Sequence, residues 1–346
     1  MGEHGKYINT PQTAADMNSI LDAVGQEDMA YWGFSYGSLL GQTYATLFPE
    51  RSKRVIIDGV MNQFDWYEKA FDGESLLDTE NVLHGFFDEC VKAGRSNCSL
   101  SSLASSAEEL KELAISFMED LREQPINVYI NNTIYGLLNH KKLWFGGVFP
   151  ALYKPQAWYT LADHLYNPLQ GNATNAFMAY GRKRPWTVTG DSNQFVIHND
   201  GIAGRKHWPQ DRQPLLDKLI PFVNKSLFGE HDVMAYFTKQ QWTIPRTHKY
   251  VPRRGVKTAH PLLILTTTYD PVCPLTSARS TNEAFEGSQI VEVRGYGHCS
   301  ISLASLCAAE HVRAFLYEGK LPGAYTQCDI DSPYFVKPEE SGEVVA

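Results

Sequence analysis

The pentapeptide Gly33-Phe34-Ser35-Tyr36-Gly37 sits between an apolar, aromatic run, Met29-Ala30-Tyr31-Trp32, and a helix-like stretch at 38–48 that Pro49 stops. A serine in this G-x-S-x-G spacing, with strand before and helix after, requires a strained turn that lifts its hydroxyl clear of a sheet. Glycines are expected two residues to either side because bulkier neighbours would clash. The following helix points its N-terminus at the serine, and the Tyr36 backbone N–H can donate to a developing oxyanion. The bland reading of the same residues is close helix–strand packing at Gly33 and Gly37, with Ser35 capping the helix.

The surrounding chain alternates between two periods. Residues 13–24 place Met17, Ile20, Leu21 and Val24 on one helical face, with Thr13 as candidate N-cap and Asp16 near the positive end. Residues 54–60 are a β-branched run of the buried parallel-strand kind, closing a βαβ unit. From about 65 to 255 the texture is helical, for example at 81–93 and 107–122, broken by Pro, Gly and Asn clusters and carrying tryptophans at 144, 158, 186, 208 and 242. Strand-like runs return at 261–267 and 288–293, with helices expected at 277–285 and 304–317. The pattern predicts an α/β fold with about four parallel strands, its core at 1–64 and 257–346 and a helical insertion at 65–256.

A serine hydroxyl is a poor nucleophile at neutral pH, so it needs a base within reach and a carboxylate to orient that base. In the strand–turn–helix class the chain order is serine, acid, histidine, each partner on a loop after a later strand. Asp270, in Tyr269-Asp270-Pro271, and His298, at the end of Gly295-Tyr296-Gly297-His298, fit that order. His260 is a weaker base because it precedes a strand. Asp58, at the carboxyl end of 54–60, is the rival acid.

With 346 residues, of which 43% are hydrophobic and 12% aromatic, the chain can bury a large core, which excludes a disordered reading. A net charge of −8 offers no basic field for nucleic acid or an anionic membrane surface. No apolar run approaches a membrane span, and residues 1–12 read as polar with no secretory signal. Sequons at Asn97, Asn131, Asn172 and Asn224 would suit a glycosylated relative. The six cysteines, at 90, 98, 273, 299, 307 and 328, admit pairing that spacing alone does not fix. Cys299, Cys307 and His311 have ligand-like identities without a tight metal motif, so buried or paired thiols are expected and no metal or cofactor is called for.

Taken together, these segments resemble the α/β-hydrolase superfamily, and within it the tripeptidyl- and prolyl-aminopeptidase-like serine hydrolases with a TAP-like C-terminal region. The resemblance rests on Tyr31 to Ser38, Arg54 to Val60, Tyr269-Asp270-Pro271-Val272 with Pro274-Leu275, Gly297-His298-Cys299-Ser300 with Ser305-Leu306-Cys307, Gly319-Lys320-Leu321-Pro322, and Cys328. It implies Ser35 as nucleophile, Asp270 as acid, His298 as base, Tyr36 as a backbone oxyanion donor, and a helical cap that shapes the pocket. Members of that class carry first strands and a glycine-rich loop ahead of the segment matching 13–24, so the sheet is expected to be N-terminally truncated relative to theirs. Val196-Ile197-His198-Asn199-Asp200 departs from relatives that tend to have a cysteine near the aspartate. The implied activity is a serine hydrolase acting on free peptide N-termini. An esterase or lactone-type hydrolase of a small-molecule pathway and a catalytically impaired binding protein stand as alternatives.

Overall fold

The computed structural model describes residues 2–70, 73–182 and 189–337. Two compact units divide the chain, one spanning 1–78 and 187–331, the other 79–186 and 332–346. The helical stretch 189–256 therefore clusters with the strands, whereas the sequence pattern placed all of 65–256 in one insertion.

Among the described residues the strands, in chain order, are β1 (Met29–Phe34), β2 (Ser52–Asp58), β3 (Ile126–Asn131), β4 (Ile134–Leu138), β5 (Leu263–Tyr269), β6 (Gln289–Tyr296) and β7 (Thr326–Cys328). In the first unit five of them form a parallel sheet ordered β1-β2-β5-β6-β7. The four parallel strands expected from sequence are all present, and β7 is a fifth. It was too short to read: only Thr326–Cys328 pair, against Val291 to Val293 of β6.

Why these segments pair follows from their burial. Val55, Ile56 and Ile57 on β2 and Leu263, Ile264 and Leu265 on β5 are all essentially inaccessible, as a strand covered on both faces must be. Ile57, Ile264 and Ile290 enter one apolar cluster with Ala45, Ala278 and Phe285 from the flanking helices. Helix α1 (Thr10–Ala23) and helix α2 (Tyr36–Leu47) pack together through Ala14, Leu21 and Tyr44 over Met29. The N-cap of α1 is Asn9, whose side chain accepts from the Gln12 N–H, rather than Thr13; Pro11 in the first turn costs no hydrogen bond there. The helix starts one turn earlier than its apolar face suggested.

The stretch 189–256 carries its own apolar cluster, Trp208, Leu215, Leu219 and Tyr236. In the second unit, helices Thr79–Ala93 and Ala107–Glu123 match the expected helices within two residues. This unit also holds the antiparallel pair β3–β4, which the helical texture of the region concealed. Phe86 and Trp158 meet edge-on, and Trp158 stacks on Tyr334. Trp144, Trp158 and Trp208 are buried structural residues, while Trp186 lies outside the described residues. Disulfides join Cys90 to Cys98 and Cys307 to Cys328; Cys273 and Cys299 are buried and outside any disulfide. No helix of the described residues is long and apolar enough to cross a membrane.

Candidate active site

Ser35 occupies the junction of β1 and α2 with φ 55° and ψ −121°, a conformation costly for any residue with a Cβ. It stands at the N-cap position of α2 but makes no side-chain capping bond, which removes the capping explanation for its presence. The turn is held by its neighbours. The Ser35 N–H donates to the Asp58 carbonyl at 2.9 Å, and the Ser38 hydroxyl donates to the Ser35 carbonyl at 2.6 Å while accepting from the Met61 N–H at 2.9 Å. The Tyr36 N–H belongs to the first turn of α2, where backbone donors have no intrahelical acceptor.

The two flanking glycines are not equivalent. A Cβ on Gly33 would lie 2.3 Å from the Gly37 carbonyl oxygen, so no side chain fits. A Cβ on Gly37 would meet only the Tyr31 hydroxyl, at 3.4 Å. That hydroxyl in turn donates to the Gly37 carbonyl at 2.7 Å, strapping strand to helix across the turn.

Asp270 follows β5 and His298 follows β6, both at the carboxyl ends of parallel strands, on the same side of the sheet as the β1–α2 turn. His298 Nδ1 lies 2.9 Å from both carboxylate oxygens of Asp270. Three backbone N–H groups fix the carboxylate: Val272 and Cys273 donate to Oδ1 at 3.0 and 2.8 Å, and Cys299 donates to Oδ2 at 2.9 Å. Asp270 is wholly buried, whereas the His298 side chain keeps 11% of its surface exposed. Gly297 has φ 147°, open in practice to glycine alone, and its carbonyl accepts from the Thr267 hydroxyl at 2.7 Å. His260, the rival base, donates its N–H to the carbonyl of Ser52, at the opposite, amino end of β2.

Asp58, the rival acid, performs a different task. Its carboxylate accepts from the Ser300 N–H at 2.7 Å and the Ser300 hydroxyl at 2.6 Å. Its carbonyl takes the Ser35 N–H and the Cys299 thiol, the latter at 3.5 Å. Residues adjoining or forming the β1–α2 turn and the His298 loop thus meet on one residue of β2. Burial pushes the Asp58 carboxyl up to about 6, against the lowering effect of its Ser300 hydrogen bonds. Burial also raises the Cys299 thiol well above its ordinary range, with the Asp58 and Asp270 carboxylates adding to the shift. Cys299 itself has φ 63°, a second strained residue, on the loop that carries His298.

A further set of residues went unrecognised in sequence. Asp200, fully buried, accepts from the Thr10 N–H at 2.7 Å, the Thr10 hydroxyl at 2.6 Å and the Trp66 indole at 2.9 Å. The Thr10 hydroxyl is also 2.6 Å from the hydroxyl of Tyr36, the residue after the serine. Burial raises Asp200 to about 6 and the Tyr36 phenol to about 12. The sequence cue is the segment Val196 to Asp200, which carries the aspartate but assigns it no role, and nothing in linear spacing connects it to position 10.

A family model described as "alpha/beta hydrolase fold" matches residues 5–80, and one described as "TAP-like protein" matches residues 227–328. The chain has the α/β-hydrolase fold. In this hydrolase-fold chain the first matched segment contains Ser35 and the second contains both Asp270 and His298. Among curated proteins it is similar to "Serine protease Hip1" of Mycobacterium tuberculosis, 23% identical over 335 residues, covering 93% of this chain and 62% of that protein. "Tripeptidyl aminopeptidase" of Streptomyces lividans is 22% identical over 340 residues, with 94% and 59% covered. "Putative hydrolase YuaR" of Escherichia coli is 24% identical over 332 residues, with 91% and 62% covered. The hydrolase-fold chain therefore spans about three fifths of the length of the curated relatives it matches.

Proposed function

We propose that the chain provides the catalytic centre of a serine hydrolase that works through an acyl-enzyme, with peptides bearing a free N-terminus as substrates. The observation that carries the reading is the pair of 2.9 Å contacts between His298 Nδ1 and the buried Asp270 carboxylate, on a loop joined through Asp58 to the strained serine. In this reading Asp270 holds the imidazole with its proton on Nδ1, and Nε2 takes the proton of Ser35 as Oγ attacks the carbonyl carbon. The Tyr36 N–H donates to the resulting oxyanion. His298 returns the proton to the leaving amine, the C–N bond breaks, and water cleaves the acyl ester by the same proton path in reverse. The "serine protease" and "tripeptidyl aminopeptidase" names of similar proteins support peptide substrates.

Arylamides of short peptides test the substrate assignment. The expected result is release of the arylamine from peptides with a free amino terminus and its loss on N-acetylation. Equal turnover of acetylated and free peptides would overturn the exopeptidase assignment, and turnover of simple esters alone would move the substrate to the ester class.

A further inference from the structure

The acid and base have a third chemically potent neighbour. Cys273 lies three residues after Asp270 in the same turn, and its thiol is buried and outside any disulfide. One carboxylate oxygen of Asp270, one ring nitrogen of His298 and Sγ of Cys273 all lie within 4.8 Å of one another, and Nδ1 is the ring nitrogen that faces the Asp270 carboxylate, at 2.9 Å. A zinc ion held tetrahedrally at about 2.0 to 2.3 Å from such donors needs them roughly 3.3 to 3.7 Å apart, so Nδ1 and the carboxylate, now 2.9 Å apart, must separate slightly while Sγ approaches by no more than about an ångström.

Three features suit these atoms to a cation. The carboxylate is already oriented by the backbone N–H groups of Val272, Cys273 and Cys299. Asp270 and Cys273 belong to one short turn, so only His298 has to arrive from another loop. A carboxylate and a thiolate together neutralise a divalent ion, which meets the requirement that buried charge be paired. The other sulfur-bearing cluster, Cys307, His311 and Cys328, has its two thiols joined in a disulfide and lacks free thiolates.

We propose that Asp270, Cys273 and His298 form a binding site for a thiophilic divalent cation of the zinc class, and that its occupancy and the Asp270–His298 hydrogen bond exclude one another. On binding, the Cys273 thiol releases its proton to solvent as the S–metal bond forms. The imidazole stays neutral, but its proton moves from Nδ1 to Nε2 because Nδ1 now donates its lone pair to the metal. No oxidation or reduction is involved. The metal-bound ring carries a proton on the nitrogen that should receive the serine proton, so occupation silences the base. This inhibitory consequence rests on the proposed catalytic reading, whereas the binding site itself does not.

Cobalt(II), added to the full chain with its disulfides intact, is the probe. The expected result is a thiolate-to-cobalt charge-transfer band in the near ultraviolet that saturates at one equivalent and is displaced by zinc. In Cys273→Ser and Cys273→Ala the affinity should fall by at least the roughly 10–100-fold that loss of an outer-shell partner costs. His298→Gln should weaken binding likewise, covering the case in which the buried cysteine variants do not fold. Cys299→Ser should keep the band. No band in the wild type, a band unchanged in the Cys273 variants, or a band lost only in Cys299→Ser would each overturn the site. Zinc should also slow fluorophosphonate labelling of the wild type and leave the Cys273→Ser rate unaltered. Saturated site and undiminished labelling would overturn the mutual exclusion. Failure of the metal-free wild type to label at all would count against the catalytic reading, leaving the cobalt band to judge the site.

Discussion

At the scale of single residues, Gly33 and Gly37 separate two roles that the spacing of the pentapeptide merges. Gly33→Ala would drive a Cβ into the Gly37 backbone and is expected to cost at least about 2 kcal/mol in unfolding free energy, together with the activity. Gly37→Ala meets only a phenolic oxygen at van der Waals distance and should leave stability within about 1 kcal/mol of the parent. Denaturant unfolding of the two variants checks both; equal damage would contradict the geometry. Sequence gave good reason to single out Ser35, Asp270 and His298, because strand ends and chain order are legible from local pattern. The task of Asp58 was not legible: its partner Ser300 lies 242 residues away, and which residue a strand-end carboxylate faces is decided by the loop packed over it.

Asp58 also makes a pH prediction at this scale. Its folded value of about 6 lies above the ordinary 3.8, so between roughly pH 4 and 6 the folded chain holds a proton that the unfolded chain has released. The associated stability is present below pH 4 and is lost as pH rises through 6, by an amount of order 3 kcal/mol. Asp58→Asn should flatten that part of the stability–pH curve relative to the wild type. Unfolding free energies measured from pH 4 to 7 with parallel slopes for both proteins would contradict the assignment.

At the scale of elements, the chain of contacts from Asp200 through Thr10 to Tyr36 couples the start of α1 to the first turn of α2. Thr10→Val keeps the side-chain shape but leaves the Asp200 carboxylate and the Tyr36 hydroxyl each short of a partner, at a cost of about 1–3 kcal/mol. Because Tyr36 supplies the proposed oxyanion donor, kcat should fall several-fold while KM changes little. A rise in KM at constant kcat would point to substrate contact instead. The elements themselves were read from periodicity with ends displaced by one to three residues. Asn9 and Pro11 moved the start of α1 because capping chemistry, not the apolar face, sets a helix end. The β3–β4 pair was missed for a related reason. Its turn is made by Asn131, whose side chain accepts the N–H groups of Thr133 and Ile134, a signal easily lost between strong amphipathic helices.

At the scale of the whole molecule, each disulfide lies within one compact unit. The Cys307–Cys328 bridge ties helix Leu306–Glu318 to β7 across 21 residues, a loop whose closure stabilises by about 3 kcal/mol in the chain-entropy model. Replacing both cysteines by serine should lower the denaturation midpoint of the sheet-bearing unit, as followed by hydrogen exchange in β6 and β7. Unchanged protection there would mean the strand is held by its ladder alone. The division at 79–186 was not visible in composition, since the residues of 189–256 look as helical as those before them; contacts rather than texture place them with the sheet.

The central claim, that Ser35 is a nucleophile served by His298 and Asp270, is tested most directly by tandem mass spectrometry of the chain after exposure to a fluorophosphonate. The account predicts one phosphonyl adduct, on Ser35, formed much more slowly in His298→Gln and absent in Ser35→Ala. An adduct on another serine, or equal labelling of the wild type and Ser35→Ala, would contradict it.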